Sequence, residues 1–159
     1  MKEEKMREEK KLTLGTKCLL DIMFYGGIVV TATLPLSIWL LGKYVPFFQN
    51  AIQGHYVGAV VIYAILGVAA VLLIAELRRM FRTVLQENCF VMENVCSLRK
   101  MGNLSFFIAG MSILRIIMYP TIAMAVVVLV FLIAGLFSKV LALVFAEAVR
   151  YKEENDLTI

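Results

Sequence analysis

LSFFIAGMSILRIIMYPTIAMAVVVLVFLIAGLFSKVLALVFAEAV, residues Leu104 to Val149, is interrupted by charge only at Arg115, Lys139 and Glu147. One straight α-helix of that length would measure roughly 70 Å, over twice the thickness of a bilayer's hydrocarbon core. The stretch is therefore expected to fold back on itself. Proline disfavours helix in the residue before it and lacks a backbone donor, so Tyr119-Pro120-Thr121 is the expected turn. Two spans result, about 103–120 and 122–148. A single helix kinked at Pro120, giving three spans in the whole chain, is the competing reading.

Two earlier runs extend the pattern. Tyr56 to Ala75 carries no charge and ends in Glu76-Leu77-Arg78-Arg79, which places a span at about 56–77. Cys18 to Leu41 is long enough for another, about 18–41. A cleaved signal peptide is its rival, supported by the preceding lysines and by Thr31-Ala32-Thr33. Against that, the apolar run continues through Leu34, Ile38, Trp39 and Leu41, and the leader mixes Glu3, Glu4, Glu8 and Glu9 with its bases. A retained span is the favoured reading. Between these runs, Pro46, Gln49, Asn50, Gln53 and Gly54 mark a loop, and Tyr44, Phe47, Phe48 and Tyr56 suit a headgroup boundary. The segment 78–102 is the sizeable polar connection. Leu77 to Leu85 reads as helix, Asn88 as its stop, and a second helix is expected to run from about Val91 into the third span.

Composition agrees with this division. Of 159 residues, 61% are hydrophobic and 18% charged, against about 45–50% and about 25% in soluble domains. The fold class is accordingly an all-α polytopic membrane bundle of four helices arranged as two hairpins. A charged leader (1–17), a transmembrane domain (18–149) and a tail (150–159) divide the chain.

Basic residues set the orientation. The leader has six (Lys2, Lys5, Arg7, Lys10, Lys11, Lys17), the central connection five (Arg78, Arg79, Arg82, Arg99, Lys100) and the tail two (Arg150, Lys152). The loop between the first two spans has Lys43 alone. With four spans the three rich segments share one side, and the positive-inside rule makes it cytoplasmic, with both termini there. Lipid is thus the expected partner. Direct nucleic-acid binding is not expected, because the net charge of +4 is spread over span ends and forms no basic stripe with interleaved aromatics. Cys18, Cys89 and Cys96 are an odd set with no CxxC pair and are read as free thiols on the reducing side. His55 is the one histidine, so no metal site and no cofactor are expected.

Glu76 and Glu147 each sit in an AExxR ending, Ala75 to Arg79 and Ala146 to Arg150. The echo reads either as a parallel repeat of two hairpins or as convergence on a good span ending. Glu and Arg three apart share a helical face, so each pair is either a local ion pair or, in the sharper reading, aimed into the bundle. Arg115 and Lys139 lie inside apolar spans, where charge is costly. They either snorkel towards the nearer interface or line a polar site. Asp21, one turn into the first span, either remains hydrated or pairs with a base. Together Arg115, Lys139, Glu76, Glu147 and Asp21 are the candidate intramembrane polar site. Arg79, Arg82, Phe90, Glu93, Asn94, Arg99 and Arg150 form a candidate face for a cytoplasmic partner. No HExxH, GxSxG, Walker glycine loop or intramembrane aspartate pair is present, and the chain is not expected to be an enzyme.

The central connection and tail carry a more specific signal: Met80-Phe81-Arg82, Phe90-Val91-Met92-Glu93-Asn94, Leu98-Arg99-Lys100-Met101-Gly102, Phe145-Ala146-Glu147 and Glu153-Glu154-Asn155-Asp156-Leu157-Thr158-Ile159. In these stretches the chain resembles a bacterial membrane-protein family, domain of unknown function 2975. The resemblance implies four spans in a bacterial cytoplasmic membrane and supplies no activity. Members are commonly encoded beside a small helix-turn-helix regulator. Where the family often has Gly-x-Pro-Phe and a threonine before the second cytoplasmic helix, this chain has Asn88-Cys89-Phe90-Val91. A weaker turn and cap are expected there.

Two functions compete on this reading. One is a membrane tether or regulator that holds a cytoplasmic protein, such as that small regulator. The other is a small transporter or a resistance or immunity protein, binding an amphipathic ligand between its hairpins. A homo-oligomer is compatible with either.

Overall fold

A computed structural model of the chain describes residues 2–44, 56–85, 89–118 and 120–156. Four helices account for almost all of them: α1 (Lys2–Tyr44), α2 (Tyr56–Leu85), α3 (Met92–Met118) and α4 (Ile122–Asp156). The expected aromatic loop around Phe47 and Phe48, the stop at Asn88, His55, Tyr119 and the terminal Leu157-Thr158-Ile159 lie outside the described residues. Each helix is long and apolar enough to cross a membrane, over Leu14–Leu40, Val60–Leu85, Met92–Met118 and Ile122–Asn155. No strand occurs among the described residues. The chain is an all-helical, multi-pass membrane protein.

The helices outrun the spans drawn from hydropathy. α1 begins at Lys2, α2 continues to Leu85 and α4 to Asp156. Apolar runs mark what lipid must solvate, whereas a helix continues as long as its backbone bonds and propensities allow. Pro35 lies inside α1, and proline is more frequent in membrane helices than in soluble ones. Around it, the Thr31 hydroxyl donates to the Gly27 carbonyl at 2.7 Å and Ser37 to Leu34 at 3.0 Å. Pro120 separates α3 from α4, and the new helix opens with Met124 N–H donating to the Thr121 carbonyl at 3.1 Å.

Packing runs along the chain order: α1 on α2, α2 on α3, and most extensively α3 on α4. All three junctions are antiparallel. Thr31 and Gly27 meet Gly67 and Val71, while Gly102 and Phe106 meet Lys139 and Gly135. The start of α1, the end of α2, the start of α3 and the end of α4 therefore lie at one end of the row. Leu36, Trp39, Ile133, Phe137 and Val144 are exposed on the outside, an apolar surface that acyl chains solvate. Buried positions concentrate on α3, where Gly102, Ser105, Ala109 and Ser112 share one face and Ser97 is buried against α2. Lipid removes the hydrophobic drive for helix association, so small side chains that admit a neighbour's backbone supply contact instead.

Gly67 shows how tight that approach is. A β-carbon there would stand 2.8 Å from the Thr31 hydroxyl and 2.9 Å from its methyl carbon, whereas one at Gly26 would meet nothing within 4 Å. Gly67→Ala is expected to destabilise the detergent-solubilised protein by about 1–3 kcal/mol through overpacking. Gly26→Ala should be neutral or stabilising, because alanine is the better helix former by about 1 kcal/mol. Thr31→Ala combined with Gly67→Ala should recover most of the loss. Thermal unfolding of the three variants checks the set, and equal effects of the two glycine substitutions would contradict this packing.

Candidate functional site

The antiparallel row brings polar residues from all four helices to one end, and the exit turn of α2 distributes them. Successive helical residues are separated by about 100°, so Glu76 and Thr83 share a face while Arg78 and Arg82 share another, about 200° away. The first face meets α3. Glu76 is only 17% exposed; it accepts a hydrogen bond from the Ser97 hydroxyl at 2.8 Å and pairs with Lys100 Nζ at 3.3 Å. Arg79 donates from Nε to Glu93 at 2.7 Å. Glu93 stands in the first turn of α3, where the helix dipole also favours a carboxylate.

Asn94 closes the elbow between α2 and α3. It is 1% exposed, and its Nδ2 donates to the Cys89 carbonyl at 2.7 Å. The Thr83 hydroxyl lies 2.8 Å from Asn94 Oδ1 and 2.7 Å from the Met80 carbonyl. Its single proton serves one of these acceptors at a time. A side chain inside the first turn of α3 thus reaches back to the chain that precedes it. Phe90, in the same elbow, stacks at a tilt on Phe145 of α4, with ring centroids 5.5 Å apart.

The second face of α2 meets α1. Arg78 forms an ion pair with Asp21 and lies 4.9 Å and 5.4 Å from the ring centroids of Phe24 and Tyr25. Arg82 is exposed one turn further on.

Lys139 of α4 lays its stem over Gly102, whose absent side chain leaves the room, and donates to Asn103 Oδ1 at 2.6 Å. Beside it a groove of about 550 Å³ runs between α2 and α3, walled by Leu72, Ala75, Leu104 and Phe107, with Glu76, Lys100 and Asn103 at its polar end. A second hollow of about 340 Å³ shares Leu72, Leu104 and Phe107 and continues to Ala64. From Glu76 to Ala64 the groove follows α2 for about 18 Å.

The remaining sequence candidates lie elsewhere. Arg115 is 6% exposed near the opposite end, its guanidinium 5.6 Å from the Tyr63 ring centroid. Ser112, fully buried one turn away, has no hydrogen-bond partner for its hydroxyl among the described residues. Glu147 pairs locally with Arg150 at 2.9 Å, and Arg150 also reaches Glu154 at 3.5 Å. Arg99 is exposed on α3. Of the five polar candidates, then, Glu76 and Lys139 flank one groove, Asp21 lies on the α1 side, and Arg115 and Glu147 are apart from both.

A family model described as "Protein of unknown function (DUF2975)" matches residues 23–159. The chain belongs to this family. Comparison with the curated proteins and with the solved structures gave no match. The DUF2975 match covers all of α2, α3 and α4 and most of the apolar part of α1, so both the elbow and the groove fall within the family's region.

Several residues that build this end were not singled out from the sequence. Ser97, Lys100, Asn103 and Thr83 supply the partners of Glu76, Lys139 and Asn94. A signal was present: Gly102, Ser105, Ala109 and Ser112 recur every three or four residues on one face of α3. Among the described residues no group of His, Cys, Asp and Glu is placed to hold a metal ion.

The elbow makes a direct prediction. Asn94→Ala should cost about 0.5–1.5 kcal/mol by removing its hydrogen bonds, and should speed maleimide labelling of Cys89. The measurement is made with Cys18 and Cys96, both exposed, replaced by serine. Arg99→Ala should leave both stability and labelling unchanged; an equal effect there would show that the elbow is not held as described.

Proposed function

We propose that the chain is a membrane-embedded binding protein for an amphipathic molecule, which it holds between its two hairpins in the α2–α3 groove. One observation carries this reading: two open apolar hollows that share Leu72, Leu104 and Phe107 run from Ala64 to Ala75 and end at an ion pair and a carboxamide, Glu76–Lys100 and Asn103. The combined space suits a small molecule, since ligand sites commonly occupy about 300–1,000 Å³ and add a few polar groups to apolar walls. A single acyl or alkyl chain fits the walls, and a small zwitterionic or polar head fits the end. The groove opens laterally, as an entry from lipid requires. On this proposal the polar end faces the cytoplasm, both termini lie there, and the role is binding or export rather than catalysis. The basic residues at that end support the orientation.

A second reading keeps the tether. α4 extends past its apolar run with Tyr151, Lys152, Glu153 and Glu154 exposed, and Arg99 is exposed beside the elbow. These offer a surface to a cytoplasmic protein such as a small helix-turn-helix regulator. Most of the other residues proposed for that face (Arg79, Phe90, Glu93, Asn94, Arg150) are engaged within the chain, which is why the groove is preferred.

The two readings separate in one experiment. A photoactivatable single-chain lipid, crosslinked in nanodiscs containing the full chain, should label residues near Leu72, Leu104 and Phe107. Leu72→Trp, which fills the shared waist of both hollows, should weaken labelling about tenfold, a change of roughly 1.4 kcal/mol. Labelling spread evenly over the outer faces of α1 and α4, unaffected by Leu72→Trp, would remove the groove reading. Loss of activity in cells on deleting residues 152–159, with labelling intact, would favour the tether.

A further inference from the structure

On the other face of α2 the hairpin register sets two pairs of residues opposite each other. Lys17 and Asp21 are one turn apart on α1, and Arg78 and Arg82 are one turn apart on α2. The helices run antiparallel, with Asp21 bonded to Arg78. A half-enclosed hollow of about 210 Å³ opens between them, lined by these four residues with Leu20, Phe81 and Leu85. Its volume falls below the usual range for a whole small-molecule ligand and suits a headgroup.

The charges do not cancel. Asp21 neutralises Arg78, and the Phe24 and Tyr25 rings beside the guanidinium hold it in place. Lys17 and Arg82 are exposed and form no ion pair among the described residues. Two cations without an ion-pair partner among the described residues therefore face a small space that is closed by Leu20, Phe81 and Leu85 and sits where the apolar part of each helix ends. Guanidinium and ammonium groups gathered in such a place bind phosphate oxygens, the first through its planar fork and the second as a point charge. Free phosphate and a phospholipid headgroup share this chemistry. Position favours the lipid, because Ile22, Val29 and Leu36 leave the outer face of α1 apolar and open to acyl chains. Basic pockets between membrane helices are used in this way.

We propose that the α1–α2 hairpin holds the phosphate of an anionic phospholipid between Lys17, Arg78 and Arg82, with Asp21 as the anchor that positions Arg78. This site lies on the opposite face of α2 from the amphipath groove and stands or falls separately from it.

Native mass spectrometry of the full-length protein, titrated in detergent with phosphatidylglycerol or phosphatidylcholine, tests the assignment. The anionic lipid should bind more tightly. Lys17→Gln combined with Arg82→Gln should weaken it about thirtyfold, roughly fivefold for each cation removed at an anionic surface. Neither side chain is buried, so helicity and melting temperature should hold. Arg99→Gln with Lys152→Gln removes the same charge outside the hollow and should change binding less than about twofold. The charge-retaining pair Lys17→Arg and Arg82→Lys should bind as the parent does. Equal affinity for the two lipids, or an equal loss in the Arg99 and Lys152 variant, overturns the site. Displacement of phosphatidylglycerol by millimolar inorganic phosphate overturns the lipid assignment and gives the hollow to the free anion.

Discussion

The two hairpins are joined chiefly along one seam, α2 against α3, and polar bonds at its end hold them in register. Within each hairpin, small residues let the helices approach, and glycine contacts at Gly27, Gly67, Gly102 and Gly135 mark the points of closest fit. The seam between hairpins is different. Its middle is an apolar groove with incomplete packing, and its end carries Glu76 with Ser97 and Lys100, Arg79 with Glu93, and Asn94 with Thr83 and Cys89. Lipid solvates an unpacked apolar wall as well as a neighbouring helix does, so the seam does not close on its own. The hydrogen-bonded end sets where α3 stands, and thereby whether a groove exists.

This division of labour follows from α2 alone. Its exit turn presents carboxylate and hydroxyl groups to one neighbour and guanidinium groups to the other, because the helix turns about 100° per residue. Glu76 and Arg78, two positions apart, belong to separate junctions. An anionic anchor faces the α3 side, where Lys100 completes it. A cationic one faces the α1 side, where Asp21 pairs with Arg78 and, among the described residues, Lys17 and Arg82 have no ion-pair partner. One helical turn therefore feeds two junctions at the same depth, one through a carboxylate and one through guanidinium groups.

How far the sequence carries such conclusions depends on the length scale of the physics. Helix number and class were legible because span length is set by bilayer thickness, a constraint that a run such as Leu104–Val149 cannot escape. Helix ends were less so, since α1 and α4 continue as helices beyond the lipid-solvated stretch. For the site, charge was legible and partnership was not. Asp21, Glu76 and Lys139 stand out in any reading as ionisable groups in or near apolar runs. Their partners Arg78, Ser97 and Asn103 lie from 21 to 57 residues away in the chain, a separation that periodicity within one helix does not bridge. Ser97 and Gly102 also look unexceptional singly, and their meaning lies in the neighbours they meet, Glu76 of α2 and Lys139 of α4.

The AExxR echo shows what the identity of a motif leaves undetermined. In α4, Glu147 turns to Arg150 of its own helix, and the pair stays exposed at 48% and 61% of the side-chain surface. In α2, the equivalent Glu76 ignores Arg79 and crosses to α3, while Arg79 crosses to Glu93. The difference comes from the neighbours. α2 lies between two helices, so a carboxylate at its exit meets Ser97 and Lys100 before its own arginine. α4 ends the row with one neighbour, and Glu147 lies on its exposed side, where Arg150 of its own helix is the partner at hand. An exposed pair of this kind contributes little, about 0–1 kcal/mol, whereas Glu76 is only 17% exposed and has both the Ser97 hydroxyl and Lys100 as partners. Two identical endings thus hold unequal stakes. The row, with inner and outer helices, is what makes the first a structural clamp beside a groove and leaves the second a solvated helix end.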